Sequence, residues 1–334
     1  MDRIAHLSVP LVIYLFERKE SPIAMTKKRV KVLIGYDGSS DADAAIEDLV
    51  HAGLPHDVDA LIVSVWDSLT APALSGNDVR VVAGDRAMTI VNQANLQISE
   101  ESKQATELIL NADNRLRSDF PSWRVRGVIL MGNPAEELVK KAEKWHADLI
   151  VVGSQGRSAI GRLILGSVSL KVATEARCSV RIGRCTNRSR TTGKIDRRPL
   201  RILIGLNCSA GAEKAVRRVL MRAWPEGTEL RIVAVDDGVS TITTDMLSAS
   251  GNHVSDSSAM EGKFIKLAES KGVAISAGIK EGEPQQILSA EASEWEADCI
   301  VVGSRGIKNS SWRLGSSVSA GLAANARCSV EIIR

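Results

Sequence analysis

An internal repeat restricts the fold of this chain more than any other feature of its sequence. Three pairs of segments resemble each other, namely 29–46 with 199–216, 145–156 with 295–306, and 176–184 with 326–334. Asp37 corresponds to Asn207, 170 residues later, whereas Gly153 corresponds to Gly303, only 150 residues later. The second copy is therefore about 20 residues shorter in its middle.

The repeat divides the chain into two domains, in agreement with a length of 334 residues and typical domains of roughly 150 residues. We expect the domains at 28–184 and 199–334, joined by a basic, polar and solvated linker over 185–198. A tether for a polyanion is the alternative interpretation of that linker. Because duplication often fuses a symmetric homodimer, we expect the two domains to pack as an intramolecular pseudo-dimer. A homodimer of whole chains stays an open alternative.

Residues 1–27 resemble neither repeat, and they form the predicted N-terminal extension. Their apolar run, Leu7–Phe16, is ten residues long and is followed at once by charged residues. Three interpretations are open: an unfolded extension or misassigned start before Met25, a membrane-associating stub, and a signal peptide.

The composition excludes several classes of protein. With 44% hydrophobic and 25% charged residues, the chain is neither disordered nor collagen-like. A net charge of +3 and 3% aromatic residues give no indication of nucleic-acid binding. No apolar run reaches the roughly 18–20 residues that span a bilayer, so we expect no membrane partner. Five cysteines without a CxxC pair predict a reducing, cytoplasmic location and no metal finger.

Strands and helices alternate in each predicted domain. Apolar runs predict strands at Val30–Gly35, Ala60–Val65, Arg124–Leu130, Leu149–Val152 and Ser179–Ile182. Helices are predicted from Ser40, after Pro134, over Leu165–Glu175, and in a long stretch that contains Met88, Val91, Ile98, Leu108, Ile109 and Leu116. This alternation predicts an α/β fold in which each domain is a doubly wound, five-stranded parallel sheet with helices on both faces.

Two loops at the carboxyl ends of predicted strands carry the candidate site, because ligands bind there in doubly wound sheets. The first loop runs from Gly35 to Ser40 and includes Asp37, whose carboxylate can accept a hydrogen bond from a ribose or a base. The second begins at Gly153 and Gly156 and leads to Gly166 and Ser167, where a helix opens. The free N–H groups of such a helix favour an anion such as phosphate.

These residues resemble the ATP-binding branch of the universal stress protein family, in a tandem two-domain form. The family's G-x2-G-x9-G-[S/T] signature is matched in full by Gly153, Gly156, Gly166 and Ser167. The resemblance covers both modules, and it implies a Rossmann-like fold of the adenine nucleotide alpha hydrolase type.

The resemblance also assigns roles within the first domain. It implies that Asp37 and the backbone of Val65 hold the adenosine part, that Val152, Gly153 and Gly156 line the nucleotide, and that Gly166, Ser167 and Val168 hold the phosphates. We add Arg157 and Arg162 as candidate phosphate contacts, with exposed solubilising arginines as the alternative interpretation.

The second domain departs from the signature. Asn207 stands where the first domain has Asp37, and an amide cannot fully replace a charge-assisted hydrogen bond. Gly303 and Gly306 are present, but only eight residues then precede Gly315, and in the alignment without a gap Ser316 and Ser317 correspond to Gly166 and Ser167. We expect the second domain to bind nucleotide weakly or not at all.

The function that the resemblance implies is an ATP-binding regulatory module of the stress response, with Mg²⁺ or Mn²⁺ carried by the ATP and an unidentified signalling protein as partner. The alternatives are a slow ATPase or hydrolase on the same fold, and a structural scaffold that binds nothing. No catalytic residue and no protein-bound metal site are predicted, and the P-loop lysine is absent from the glycine loop.

Overall fold

Most of the first repeat folds into a parallel sheet covered by helices. The structure, a computed structural model, describes residues 12–14, 29–66, 82–84, 87–89, 100–156, 165–184, 198–206, 212–236, 272–304 and 318–334. The strands here are β1 (Val12–Tyr14), β2 (Val30–Gly35), β3 (Val58–Trp66), β4 (Val82–Gly84), β5 (Ala87–Thr89), β6 (Arg124–Met131), β7 (Leu149–Gly153) and β8 (Ser179–Gly183). The helices are α1 (Ser40–Glu47), α2 (Glu100–Asp119), α3 (Pro134–Trp145) and α4 (Ser167–Glu175), and a 3₁₀ turn, Asp48–His51, follows α1.

Five parallel strands of the first domain lie in the order β6-β3-β2-β7-β8. All residues of β7 are buried, as the continuous apolar run predicts for a central strand. Helices α1 and α2 pack on one face of the sheet, and α3 and α4 pack on the other. The predicted doubly wound, five-stranded parallel sheet with helices on both faces is therefore confirmed.

The second repeat folds into an equivalent parallel sheet. Its strands are β9 (Arg201–Leu206), β10 (Glu229–Asp236), β11 (Ala274–Glu281), β12 (Cys299–Gly303) and β13 (Ser329–Ile333), and its helices are α5 (Ala212–Leu220), α6 (Pro284–Glu294) and α7 (Val318–Asn325). The strand order β11-β10-β9-β12-β13 matches that of the first domain, and the pairs within it are parallel.

The last strands of the two domains join the sheets to each other. β8 pairs with β13 in the antiparallel direction, with Arg181 directly opposite Glu331. Within the described residues the result is one sheet of eleven strands, from β1 at one edge to β11 at the other. The carboxyl ends of the two parallel halves consequently point in opposite directions, and any site at those ends is separate in each domain.

One part of the predicted long helix is wrong. Met88 lies in β5, which pairs with β4, whereas α2 begins only at Glu100. A short apolar segment fits a strand as well as a helix, and periodicity cannot separate the two. The predicted helix is correct for Leu108, Ile109 and Leu116, which lie in α2, while Val91 and Ile98 lie outside the described residues.

The predicted boundaries outside the domains stay predictions. In the N-terminal extension over 1–27, residues Val12–Tyr14 pair with β6 in the antiparallel direction. The linker over 185–198 lies outside the described residues except for Arg198. Among the described helices, none is both long enough and apolar enough to cross a membrane.

Candidate functional site

Asp37 is held in a fixed orientation at the carboxyl end of β2. Its Oδ1 accepts hydrogen bonds from the Ser39 backbone N–H, at 3.0 Å, and from the Ser39 hydroxyl, at 2.6 Å. Ser39 also caps α1, because its Oγ accepts a hydrogen bond from the N–H of Ala42. Between Asp37 and Ser39, Gly38 has a φ of 76°, a left-handed conformation that glycine adopts readily. The turn therefore presents the carboxylate at the strand end.

The glycine loop after β7 reaches the Asp37 loop at very short range. A Cβ atom on Gly156 would lie 3.0 Å from Oδ2 of Asp37. A Cβ on Gly153 would lie 2.6 Å from the carbonyl carbon of Asp41, in the first turn of α1. The Ser154 hydroxyl donates a hydrogen bond to Oδ1 of Asp41. A side chain at Gly153 would therefore clash with the backbone of α1, and one at Gly156 would crowd the Asp37 carboxylate.

Helix α4 begins directly behind the glycine loop. Gly166 has an extended conformation, with φ −62° and ψ 149°, and its N–H donates to the carbonyl of Ser154 at 2.8 Å. The Ser169 hydroxyl donates to the carbonyl of Gly153 at 2.7 Å. Since Gly166 has no side chain with which to cap the helix, the N–H groups of the first turn, from Ser167 onward, are available to an anion. The predicted helix started two residues earlier, at Leu165.

Three valines supply the apolar side of the same region. Val65 lies near the end of β3, Val152 lies in β7, and Val168 lies in the first turn of α4. All three pack against the core cluster on the α3 and α4 face of the sheet. The region thus combines one carboxylate, an apolar wall and a helix N-terminus, a mixture of apolar surface and a few polar groups that is typical of small-molecule sites.

Tyr36 lies beside Asp37 but faces the opposite side of the sheet, in the core cluster with α1 and α2. Its hydroxyl donates a 2.6 Å hydrogen bond to Oδ1 of Asp43. Burial and that hydrogen bond raise the pKa of Tyr36 well above its ordinary value of 10.0, so the hydroxyl stays protonated. Tyr36 therefore anchors the loop rather than lining the site.

The predicted second site is described only in part. Gly303, at the end of β12, is exposed, and a Cβ atom on it would meet no described residue within 4 Å. Its counterpart Gly153 is buried against α1, so the described parts of the two domains differ at this position. The remaining candidates lie outside the described residues: Arg157 and Arg162 in the first domain, and Asn207, Gly306, Ser316 and Ser317 in the second.

Sequence reasoning missed the contribution of Asp41 and Ser154. A comparison of the two repeats indicates a difference at this position, because the residue equivalent to Asp41 in the second copy is Gly211. Ser154, by contrast, has the equivalent residue Ser304. The hydrogen bond between Asp41 and Ser154 in the first domain therefore has no side-chain acceptor at the equivalent position of the second.

Comparison with known proteins gives a consistent result. The model of the family described as "Universal stress protein family" matches residues 29–183 and 200–334, which is most of the chain. A protein of Staphylococcus aureus (strain USA300) that carries the provisional name of universal stress protein is 30% identical over 154 residues. That match covers 46% of this chain and 82% of the relative. Its length corresponds to about one of the two repeats.

Two solved structures resemble the whole two-domain arrangement. A universal stress protein from Archaeoglobus fulgidus has a TM-score of 0.61 and 20% identity, and the match covers 91% of this chain and 98% of the other. A Pseudomonas aeruginosa protein with the same provisional family name has a TM-score of 0.56 and 11% identity, and covers 91% and 92%. At these identities the likeness shows the fold.

Proposed function

Because the chain belongs to the universal stress protein family and contains two domains of that family, we propose that it is an ATP-binding regulatory module of the stress response. The observation that carries the proposal is the contact between the two loops of the first domain. Gly156 lies so close to Asp37 that a single methyl group would reach the carboxylate, and α4 opens directly behind the glycine loop.

Each part of the nucleotide has suitable groups in the first domain. The Asp37 carboxylate is suited to accept hydrogen bonds from ribose hydroxyls, and the backbone of Val65 and the side of Val152 are suited to the adenosine. The start of α4 at Gly166, Ser167 and Val168 is suited to the phosphates, since Gly166 carries no side chain and the N–H groups of Ser167 and Val168 lie at the helix N-terminus, which carries partial positive charge. Gly153 and Gly156 allow the loop backbone to approach the ligand.

The cation would come with the ligand. ATP carries Mg²⁺ or Mn²⁺ on its phosphates, so the proposal needs no protein carboxylate as a metal ligand. Arg157 and Arg162 belong to the segment between the glycine loop and α4, and we propose them as further phosphate contacts. A cytoplasmic location and an unidentified signalling partner are parts of the same proposal.

The second domain is proposed to bind nucleotide weakly or not at all, so that one ATP binds per chain. Asn207 replaces the carboxylate, and Ser316 replaces the glycine at the helix start. The exposed Gly303 also lacks, among the described residues, the close contact that Gly153 makes with α1. These three differences weaken the features that support binding in the first domain.

A slow ATPase is the second candidate, and the position of Asp37 argues against it. This carboxylate is proposed at the ribose, and its Oδ1 is already occupied by Ser39, so it is not placed to activate water at the γ-phosphate. A regulatory role instead needs only that bound ATP favour one surface arrangement over another.

The proposal is tested by titrating ATP and Mg²⁺ into the full chain in a calorimeter. Asp37→Asn keeps the Oδ1 that Ser39 requires but removes the charge, so the turn is retained. We expect ATP affinity to fall roughly 10- to 100-fold, which corresponds to the loss of a charge-assisted hydrogen bond. The matched control is Asn207→Asp, which should leave the first site's affinity unchanged.

Native mass spectrometry of the same samples gives the stoichiometry, with one nucleotide per chain as the expected result. Failure of the wild-type chain to bind ATP would overturn the proposal in favour of a scaffold. Two nucleotides of equal affinity would overturn the proposed asymmetry. Turnover well above background at saturating ATP would favour the ATPase.

A further inference from the structure

The junction between the domains is centred on a pair of opposite charges. β8 and β13 are aligned with Val180 opposite Ile332, Arg181 opposite Glu331, and Ile182 opposite Val330. Arg181 and Glu331 occupy the same place in the two repeats, 150 residues apart. Each of them therefore faces its own repeat equivalent, which is the arrangement of an isologous two-fold interface.

The contacts around this centre are the same in both directions. The backbone N–H of Arg184 donates to Ser329 Oγ at 3.0 Å, and that of Arg334 donates to Ser179 Oγ at 3.2 Å. Each arginine also reaches the carbonyl groups at the C-terminal end of the other domain's last helix, at Ala323 in α7 and at Ala173 in α4. Positive charge is favourable at a helix C-terminus.

These symmetric contacts cannot distinguish one pairing from another. A pair of two first domains, or of two second domains, could form the same serine and helix-end contacts with equal geometry. The edges β8 and β13 are therefore compatible, as far as these contacts are concerned, with assembly between copies of one domain. Any selection of the correct partner has to come from residues that differ between the repeats.

The central residues are where the repeats differ, and they are fully buried. Arg181 Nε lies 2.6 Å from Asp48 Oδ2, and Arg181 Nη1 lies 3.1 Å from Glu331 Oε2. The side chains of Arg181 and Glu331 are 0% exposed, and that of Asp48 is 2% exposed. Glu331 Oε2 also accepts a 2.9 Å hydrogen bond from Arg222 Nη1. Two arginines and two carboxylates thus balance each other.

Pairing between like domains would replace the contact between opposite charges with a contact between like charges. Two first domains would bring Arg181 against a second Arg181, although each would keep its own Asp48 as a partner. Two second domains would bring Glu331 against a second Glu331, although each would keep its own Arg222. Like charges placed together out of water are strongly unfavourable, and a buried ion pair is best attested as a device that selects register or partner.

We propose that Arg181 and Glu331 make the pairing of the fifth strands selective, so that a first-domain edge accepts only a second-domain edge and rejects its own copy. The partner that fits β8 is an edge strand with a buried carboxylate at the central position. The partner that fits β13 carries a buried guanidinium there. A homodimer of whole chains would accordingly have to use a different surface.

The test uses full-length chains and hydrogen exchange of the β8 and β13 amides, which reports the pairing directly. Glu331→Arg places like charges at the centre, and we expect the β8 and β13 amides to lose protection while those of β2 and β7 keep it. The matched control is Glu331→Gln, which keeps the shape and removes the charge without adding a further cation at the centre. We expect this variant to lose less β8 and β13 protection than Glu331→Arg does.

A mixing experiment keeps the proposal testable if one variant does not fold by itself. A chain with Arg181→Glu retains the native second-domain edge, and a chain with Glu331→Arg retains the native first-domain edge. When mixed, the two chains should form a 1:1 species in native mass spectrometry, with β8 and β13 protection restored. Neither chain alone should form a dimer.

Three results would overturn the proposal. Protection of β8 and β13 retained in Glu331→Arg would show that the sign of the charge does not matter. An equal loss of protection in Glu331→Gln would assign the effect to packing or hydrogen bonding. No 1:1 species and no restored protection on mixing would show that opposite charge does not recruit the partner edge.

Discussion

At the scale of single residues, two equivalent glycines have different surroundings. Gly153 is buried, and its Cα faces the backbone of Asp41 so closely that a Cβ would lie 2.6 Å from a carbonyl carbon. Gly303 is exposed, and a Cβ atom on it would have no described residue within 4 Å. The same residue type therefore serves helix packing in one domain, while in the described part of the other it has no such contact.

This difference predicts opposite results for two alanine substitutions. Gly153→Ala forces α1 away from β7 or strains it, and we expect a loss of roughly 1–3 kcal/mol in the free energy of unfolding. Gly303→Ala, the matched control, should change it by less than about 0.5 kcal/mol. Urea denaturation of both variants measures the effect. Equal midpoints would contradict the assigned packing role.

At the scale of secondary structure elements, the ends of α3 and α6 show a repeated feature. His146 and Glu296, which directly follow the equivalent residues Trp145 and Trp295 of the two repeats, have φ values of 56° and 52°. This left-handed conformation terminates a helix, and glycine adopts it without the steric cost that a Cβ brings. His146 is exposed. The helix end therefore carries backbone strain at both equivalent positions.

Removing that strain should stabilise the protein. We expect His146→Gly and Glu296→Gly each to raise the free energy of unfolding by roughly 0.5–1 kcal/mol. Lys144→Gly is the matched control, because Lys144 is exposed inside the last turn of α3, where glycine should cost about the same amount. Thermal unfolding compares the three variants. A lower melting temperature for His146→Gly would show that its side chain outweighs the backbone cost.

At the scale of the whole molecule, the continuous sheet passes through a buried cluster of charges. Burial alone would raise the pKa of Glu331, but the guanidinium groups of Arg222 and Arg181 outweigh it, and that pKa lies below its ordinary value of 4.5. A carboxylate whose pKa is lower in the folded state contributes stability above the unfolded pKa. It loses that contribution as the pH falls through the folded value.

The lowered pKa of Glu331 predicts how the stability that this residue contributes changes in acid. The free energy of unfolding of wild type should exceed that of Glu331→Gln by a constant amount between pH 5 and pH 7. The difference should narrow below about pH 4.5, as the wild-type carboxylate is protonated. Denaturant unfolding at a series of pH values measures it. A difference that stays constant down to pH 3 would contradict the lowered pKa.

The sequence was sufficient for the features that depend on short stretches of chain. The repeat is visible in the sequence directly. Apolar runs and turn residues predict the parallel sheet with its covering helices and, to within two residues, the strands β2, β3, β6, β7 and β8. The family resemblance is confirmed by the two matched segments. Met88 shows the limit, because three residues of strand have no period that distinguishes them from helix.

Only the tertiary structure decided which distant residues meet. The contact of Asp41 with the glycine loop joins residues 113 apart, and the Arg181 contacts with Asp48 and Glu331 join residues 133 and 150 apart. Local periodicity carries no information on such pairs, because it reports which face of an element is buried and not what lies against it. Arg181 and Glu331 occupy equivalent places in the repeat, and their contact arises only when β8 and β13 are placed side by side.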